Sequence, residues 1–390
     1  MSQHKITDAI RIQTTLTDEM EHSTPLFLTS SFQFDTAEDM QGAFAETNDH
    51  NIYTRFVNPS VTEFVQKVCA LEGAEDGFAT ASGMAAIFGT FMAFLSNGDH
   101  ILSSPCIFGS THTILKKYLT RWGISSSYAD FSSPESVVAA IQPNTKIIYL
   151  ETPTNPGLDI FDLEWIGKLC GEKGIILVVD NCFATPLYQQ PVKYGAHLVI
   201  HSATKWMDGQ GRIIGGIVVG KKELIREIYL FCRNTGPSMS PFNAWLLSKS
   251  LETLDVRMQR HCENALELAK ALQKHPMVEW VKYPFLESHP SYAIAKKQMQ
   301  GGGGIVTFEL KGGANAGVKF MNSLKMLSLT SNLGDTRSIA SHPTSTTHSK
   351  LSEEERLSVG ITPGLIRISV GLEHIDDIVA DITTALNHLT

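Results

Sequence analysis

The sequence predicts an α/β protein, with a mostly parallel sheet in a large domain and a smaller C-terminal α+β domain. Three observations predict it. Short, continuous apolar strands bounded by turn residues recur between Gly77 and Gly220. Helical patterns of about 10 to 15 residues separate them, the alternation expected of βαβ units whose sheet is covered on both faces. After a long helical stretch, fewer strands and helices follow in a different order, which fits a smaller α+β unit, and 390 residues suffice for two domains at roughly 100 to 200 residues each.

Taken in order, residues 1–52 read as an irregular N-terminal arm, because EHSTPLFLTSSFQFDT (21–36) is rich in Ser and Thr, holds a proline and lacks periodicity. The large domain is placed at 53–250. It opens with an amphipathic stretch from Val61 to Leu71, then GFATAS (77–82) and an apolar helix from Met84 to Leu95. Next come HILSSP (100–105), a helix around Thr113 to Trp122, TKIIYLET (145–152), a helix around Leu163 to Lys173, GIILVVDN (174–181), HLVIHSATK (197–205) and GGIVVG (215–220). One long helix over Ala244 to Lys274 is expected to bridge into the C-terminal domain, 251–390. That domain reads as VEWVKYP (278–284), a glycine turn at 301–304, GGIVTFEL (303–310), a helix near Val318 to Leu324, LIRISVGL (365–372) and a terminal helix from Ile375 to Leu386.

Composition narrows the function. Apolar residues at 43% and charged residues at 18% are ordinary for a globular chain and argue against disorder. Lys plus Arg number 32 against 40 Asp plus Glu, a formal charge of −8, so neither nucleic acid nor an anionic membrane is an expected partner. A local positive pocket for a small anion remains compatible with that average. Six cysteines carry no CxxC pair and no metal-ligand spacing, which reads as reduced thiols in a cytoplasmic protein with no metal site. The start MSQHKITDAIRIQ lacks a signal-peptide core, and runs such as Ile175 to Asp180 fall short of the roughly 18 apolar residues of a membrane span.

In an open parallel sheet, ligands bind beyond the carboxyl ends of the strands. After GFAT stand Ser82, Gly83 and Met84, opening an apolar helix; free N–H groups there suit a phosphate, although Ser-Gly can equally be a plain helix cap. After YLE the two prolines of Thr152-Pro153-Thr154-Asn155-Pro156-Gly157 fix Asn155 in a rigid turn, which is an ordinary turn on its own. Asp180 ends an apolar strand and is either a strand-end cap or a buried carboxylate in need of a partner. Lys205 lies beyond another strand beside Trp206, where it is either ion-paired or a desolvated nucleophile toward a carbonyl. Together, a phosphate nook with hydroxyls from Ser202 and Thr204, an imine-forming lysine and a carboxylate 25 residues before it are the inventory for pyridoxal 5′-phosphate.

Further stretches extend this pattern over nearly the whole chain: YTRFVNPS (53–60), ASGMAAI (81–87), ETPTNP (151–156), VVDNCFATP (178–186), HSATKWMDG (201–209), SPFNAWLLSKSLETLDVRM (240–258), SNLGDTRS (331–338), HPTSTTH (342–348) and IRISVGLEHIDDI (366–378). With these the chain resembles the fold-type I pyridoxal-phosphate enzymes of cysteine and methionine metabolism, the cystathionine γ-synthase-like group. The resemblance implies that Lys205 carries the cofactor as an imine and that Asp180 pairs with its pyridine nitrogen. It also implies that Ser82, Gly83, Met84, Ser202 and Thr204 hold the phosphate. Tyr53 and Arg55 match the family's Tyr-x-Arg, which reaches the phosphate of a neighbouring subunit, so a dimer, paired into a dimer of dimers, is implied. Arg367 matches the arginine that grips the α-carboxylate of an amino-acid substrate, with Asn155 and Asn332 beside it.

Two departures from the family pattern bear on the reaction. Phe108 stands where many relatives have tyrosine, which retains stacking but removes a phenol and makes Lys205 the principal proton carrier. Arg337 stands where cystathionine γ-synthases tend to carry an acidic residue for the amine of cysteine. Both look like the homoserine-ester sulfhydrylase branch, a γ-replacement converting O-succinylhomoserine or the acetyl ester, with sulfide, to homocysteine. Cystathionine γ-synthase and a cystathionine or methionine γ-lyase are the alternatives within the family. A non-catalytic cofactor-binding regulator and a nucleotide-binding α/β protein are those outside it. Other motifs fail: Gly209-Gln210-Gly211 lacks the third glycine because Ile214 stands there, His197 and His201 have no metalloprotease context, and no G-x-S-x-G elbow occurs.

Overall fold

A computed structural model describes residues 4–346, 349 and 352–389; Thr347 and His348 of the HPTSTTH stretch lie outside them. The first of two sheets uses β1 (Asp76–Thr80), β2 (His100–Ser103), β3 (Ser125–Tyr128), β4 (Thr145–Glu151), β5 (Ile176–Asp180), β6 (Leu198–His201) and β7 (Gly216–Gly220). Their order is β1-β7-β6-β5-β4-β2-β3. Strands β3, β2, β4, β5 and β6 run parallel, whereas β7 is antiparallel to both β6 and β1. A single reversed strand therefore leaves the carboxyl ends of the other six along one edge, so Thr80, Glu151, Asp180 and His201 all finish there. The apolar runs follow from burial on both faces. Leu150, Leu177, Val179 and Val199 pack in one layer with Phe64 and Val68 of the helix Pro59–Glu72. Their neighbours Tyr149, Val178, Leu198 and Ile200 pack in the other with Ala86 and Phe91 of the helix Gly83–Phe94, as alternation along a strand demands.

The second sheet contains β8 (Val278–Lys282), β9 (Ile305–Leu310), β10 (Ser328–Leu329), β11 (Ile339–Ser341) and β12 (Leu365–Ser369). Its order is β10-β11-β12-β9-β8, antiparallel except for β10 with β11. Helices Leu254–Leu272, Gly313–Ser323 and Ile375–Asn387 cover it through a core of Leu268, Phe308, Phe320, Ile368 and Ile382. No helix among the described residues is long and apolar enough to cross a membrane.

Several elements differ from the sequence expectation. The single bridging helix is two, Pro241–Leu251 and Leu254–Leu272; at the break the Ser250 carbonyl accepts the Thr253 N–H in a tight turn at 3.3 Å and the Arg257 guanidinium at 2.9 Å. Thr113 to Trp122 is not one helix but the end of Gly109–Thr113, a π turn at Ile114–Tyr118 and a 3₁₀ turn at Leu119–Trp122. The arm is not wholly irregular: helices Lys5–Arg11 and Ala37–Phe44 form, the latter capped by the Thr36 hydroxyl on the Asp39 N–H at 3.0 Å. Strand β3, Ser-Ser-Ser-Tyr at the sheet edge, has no apolar run to announce it.

One buried ion cluster ties the helix Pro59–Glu72 to Pro241–Leu251. The Lys67 ammonium, fully buried, lies 3.2 Å from both Glu63 and Glu252 and donates to the Ser248 carbonyl at 3.4 Å. Removing the cation leaves the buried Glu63 without its ion pair, the costly direction for such clusters. Lys67→Met is therefore expected to lower unfolding stability by about 3 kcal/mol; an unchanged denaturation midpoint would show that the cluster carries no stability.

Candidate functional site

The carboxyl edge of the first sheet gathers the polar residues. Ser82 caps the helix Gly83–Phe94, its hydroxyl accepting the Ala85 N–H at 3.2 Å. The N–H groups of Gly83 and Met84 fall in the first turn, which has no intrahelical acceptors. Glycine is required at 83: a Cβ there would lie 2.8 Å from the Ser202 Cβ and 3.0 Å from its Cα. The helix start and the residue beyond β6 are thereby pressed into one nook with two main-chain donors and the Ser202 hydroxyl, a setting made for an anion. Thr204 is oriented differently, since its hydroxyl donates to the Gly215 carbonyl at 3.2 Å and accepts the Gly215 N–H at 3.0 Å.

Asp180, 8% exposed, accepts the Cys182 N–H at 3.0 Å and faces the Tyr149 hydroxyl at 3.4 Å. Burial pushes its pKa up, while the Cys182 N–H and the nearby His201 pull it back. Behind the strand ends, His201 Nε2 and a Glu72 carboxylate oxygen are 2.9 Å apart in the other buried layer. Lys205 donates from Nζ to Asn332 Oδ1 at 2.6 Å. Desolvation holds its pKa below the ordinary lysine value, aided by the positive charge of Arg367. Arg367, on β12 of the second sheet, donates to Asn155 Oδ1 at 3.0 Å and to the Asn332 carbonyl at 3.1 Å. It is 6% exposed, desolvation lowers its pKa to about 10, and its Nε has no hydrogen-bond partner. Among the described residues no carboxylate stands within ion-pair distance of it.

The structure thus brings together Ser82, Gly83 and Met84 with Ser202, and Lys205 with Asn332, Arg367 and Asn155. Phe108 stands at the N-cap of the short helix Gly109–Thr113 beyond β2 and is 46% exposed. Tyr53 and Arg55 are not brought in: the Arg55 guanidinium donates to the Arg233 carbonyl and lies over the Tyr53 and Phe56 rings at 5.3 and 4.9 Å. Arg337 folds onto Asp335 at 3.1 Å and stays largely exposed. His197 accepts the Leu177 N–H at 3.0 Å. Among the described residues no cluster of His, Cys, Asp or Glu is arranged to hold a metal ion. Sequence reasoning passed over Tyr149 and Glu151; Glu151, a carboxylate closing an apolar strand, carried the same signal as Asp180.

This geometry has parallels. The sequence model for the Cys/Met metabolism PLP-dependent enzymes matches residues 7–387. The chain belongs to that family. An O-succinylhomoserine sulfhydrylase of Pseudomonas aeruginosa is 46% identical over 378 residues, 97% of this chain and 94% of the relative. An L-methionine γ-lyase of Porphyromonas gingivalis is 44% identical over 370 residues, 94% of this chain and 93% of the relative. Among solved structures, a putative O-acetylhomoserine (thiol)-lyase from Campylobacter jejuni superposes with a TM-score of 0.95 at 32% identity. It covers 99% of this chain and 100% of its own, and contains N′-pyridoxyl-lysine-5′-monophosphate. The cofactor of this Cys/Met family enzyme is pyridoxal phosphate, and its fold is that of the fold-type I pyridoxal-phosphate enzymes.

Two outcomes follow for cofactor binding. Gly83→Ala forces the added Cβ against the Ser202 backbone and should weaken pyridoxal phosphate affinity of the apoenzyme by about tenfold, the size of one lost charge-assisted contact. Because Lys205 is held below the ordinary lysine pKa of about 10.4, its reactive neutral fraction rises earlier with pH. The rate at which apoenzyme captures the cofactor should climb with a midpoint below that value, and a midpoint at or above it would contradict the desolvated setting.

Proposed function

We propose that this enzyme catalyses γ-replacement on an O-acylhomoserine, preferentially the succinyl ester, with sulfide as acceptor and homocysteine and succinate as products. The observation that carries the reading is the linked set Lys205, Asn332, Arg367 and Asn155, a nucleophilic amine beside a desolvated guanidinium with a spare donor. The residues present fit pyridoxal phosphate. The nook of Gly83, Met84 and Ser202 suits its phosphate, Lys205 its carbonyl and Asp180 its ring nitrogen. Thr204, bonded to Gly215, supports the nook from behind. When bound, the cofactor supplies an electron sink for negative charge on the substrate carbons next to the amine.

The chain's own groups account for the rest. Arg367 grips the α-carboxylate of the substrate, its orphaned Nε finding an acceptor there, and Asn155 holds the guanidinium in plane. Asp180 stays ionised and keeps a proton on the ring nitrogen. Lys205 Nζ takes protons from Cα and then Cβ and later returns them. Phe108 offers a stacking face and no proton, so that duty falls to Lys205 alone. The Cγ–O bond breaks with succinate leaving, and a C–S bond to sulfide forms at the same carbon.

The assembly belongs to this reading. Tyr53 and Arg55 stand just beyond the arm, beside its exposed apolar residues Met40 and Phe44, which suits a second copy whose phosphate nook they complete, as a dimer and then a dimer of dimers. We also read the chain as arm 1–52, cofactor domain 53–250 and C-terminal domain 251–390, supported by the two separate sheets. Lys205→Ala should abolish turnover and the visible absorption of the bound cofactor. With O-succinylhomoserine, sulfide should be consumed at least tenfold faster than cysteine, and methionine alone should yield little 2-oxobutyrate. Preference for cysteine would point instead to cystathionine γ-synthase, and rapid breakdown of methionine to the γ-lyase favoured by the identity to the Porphyromonas gingivalis relative.

A further inference from the structure

Two carboxylic acids end adjacent strands on one face of the sheet, and only Asp180 has a role above. Glu151 is its register partner and is 4% exposed. Register partners project to the same side, as the Tyr149 hydroxyl next to Asp180 also indicates. Glu151 Oε2 accepts the Phe108 main-chain N–H at 3.0 Å. Phe108 begins the helix Gly109–Thr113 without a side-chain cap, so this bond fastens the start of that helix to the end of β4.

Charge has to be shared between the two acids. Asp180 receives the Cys182 N–H and the Tyr149 hydroxyl, whereas the hydrogen bond Glu151 accepts comes from Phe108. The other charged group acting on Glu151 is Arg367, which stands beyond ion-pair distance and is turned to Asn155 and Asn332. Two buried ionised carboxylates side by side repel, so one keeps its proton. Burial first, and the charge of Asp180 second, push the Glu151 pKa well above the usual carboxylate range. With two donors on Asp180 against one on Glu151, the shared proton belongs on Glu151, and a neutral carboxyl still offers the carbonyl oxygen that Phe108 needs.

We propose that Glu151 is a positioning residue of the cofactor pocket: its neutral carboxyl holds the Phe108 main chain to the end of β4 and so sets where the Phe108 ring stands. The inference rests on Phe108 facing the cofactor ring, and the experiment separates the two statements. Apoproteins carrying E151Q, E151M and F108A, with the unsubstituted enzyme, are titrated with pyridoxal phosphate. Dissociation constants and the induced circular dichroism of the bound cofactor are recorded, with a thermal melt of each apoprotein. F108A and E151M are expected to weaken binding by about tenfold and diminish the dichroism, as loss of one buried contact implies. E151Q keeps a neutral oxygen acceptor and is expected to stay within about threefold. If E151M does not melt as a folded protein, E151A replaces it. Unchanged binding and dichroism in E151M or E151A beside an impaired F108A overturns the role of Glu151. An unimpaired F108A overturns the place of Phe108 instead, and E151Q as impaired as E151M overturns the neutral carboxyl.

Discussion

The hydrogen-bonded link from Lys205 through Asn332 to Arg367 and Asn155 is what the rest of the site depends on. Lys205 and Asn155 follow strands of the first sheet, and Arg367 belongs to β12 of the second. Neither sheet could place the amine and the guanidinium together by itself. Each member is partly desolvated by the others, which depresses the basicity of both cations and leaves the arginine a donor for a ligand. The closeness of the two cations costs electrostatic energy that a negatively charged group between them would offset.

Below that link the sheet acts as a jig. Six strand ends on one edge set the spacing between the Gly83–Ser202 nook, Asp180 and Lys205, and two apolar layers hold the strands in register, since a slip of one residue would turn Asp180 to the opposite layer. The glycine at 83 lets a helix start touch the residue after β6. Apolar packing thus does the positioning and polar residues at the edge do the recognition, an arrangement general to open α/β sheets.

Much of this was legible in the sequence because the signals are local. Apolar runs marked strands β4 to β7, and the residue after each run pointed to Asp180, Lys205 and Asn155. What was not legible is long-range. At the break between Leu251 and Leu254, Arg257 reaches back to Ser250, a contact no local pattern announces. The serine-rich β3 is a strand only because β2 offers it an edge. The hydrogen bonds between the Thr204 hydroxyl and Gly215, eleven positions away, carry no local sequence signal either.

The division between a fixed edge and variable connections has an evolutionary consequence. Asn155, Lys205 and Asn332 all sit on segments that follow strands rather than within them, and Phe108 and Arg337 lie on similar connections. Apart from Lys205, whose loss removes the reactive amine, such connections can change without disturbing the two packed layers that keep the chain folded. A scaffold of this kind is poised to change its site more readily than its architecture.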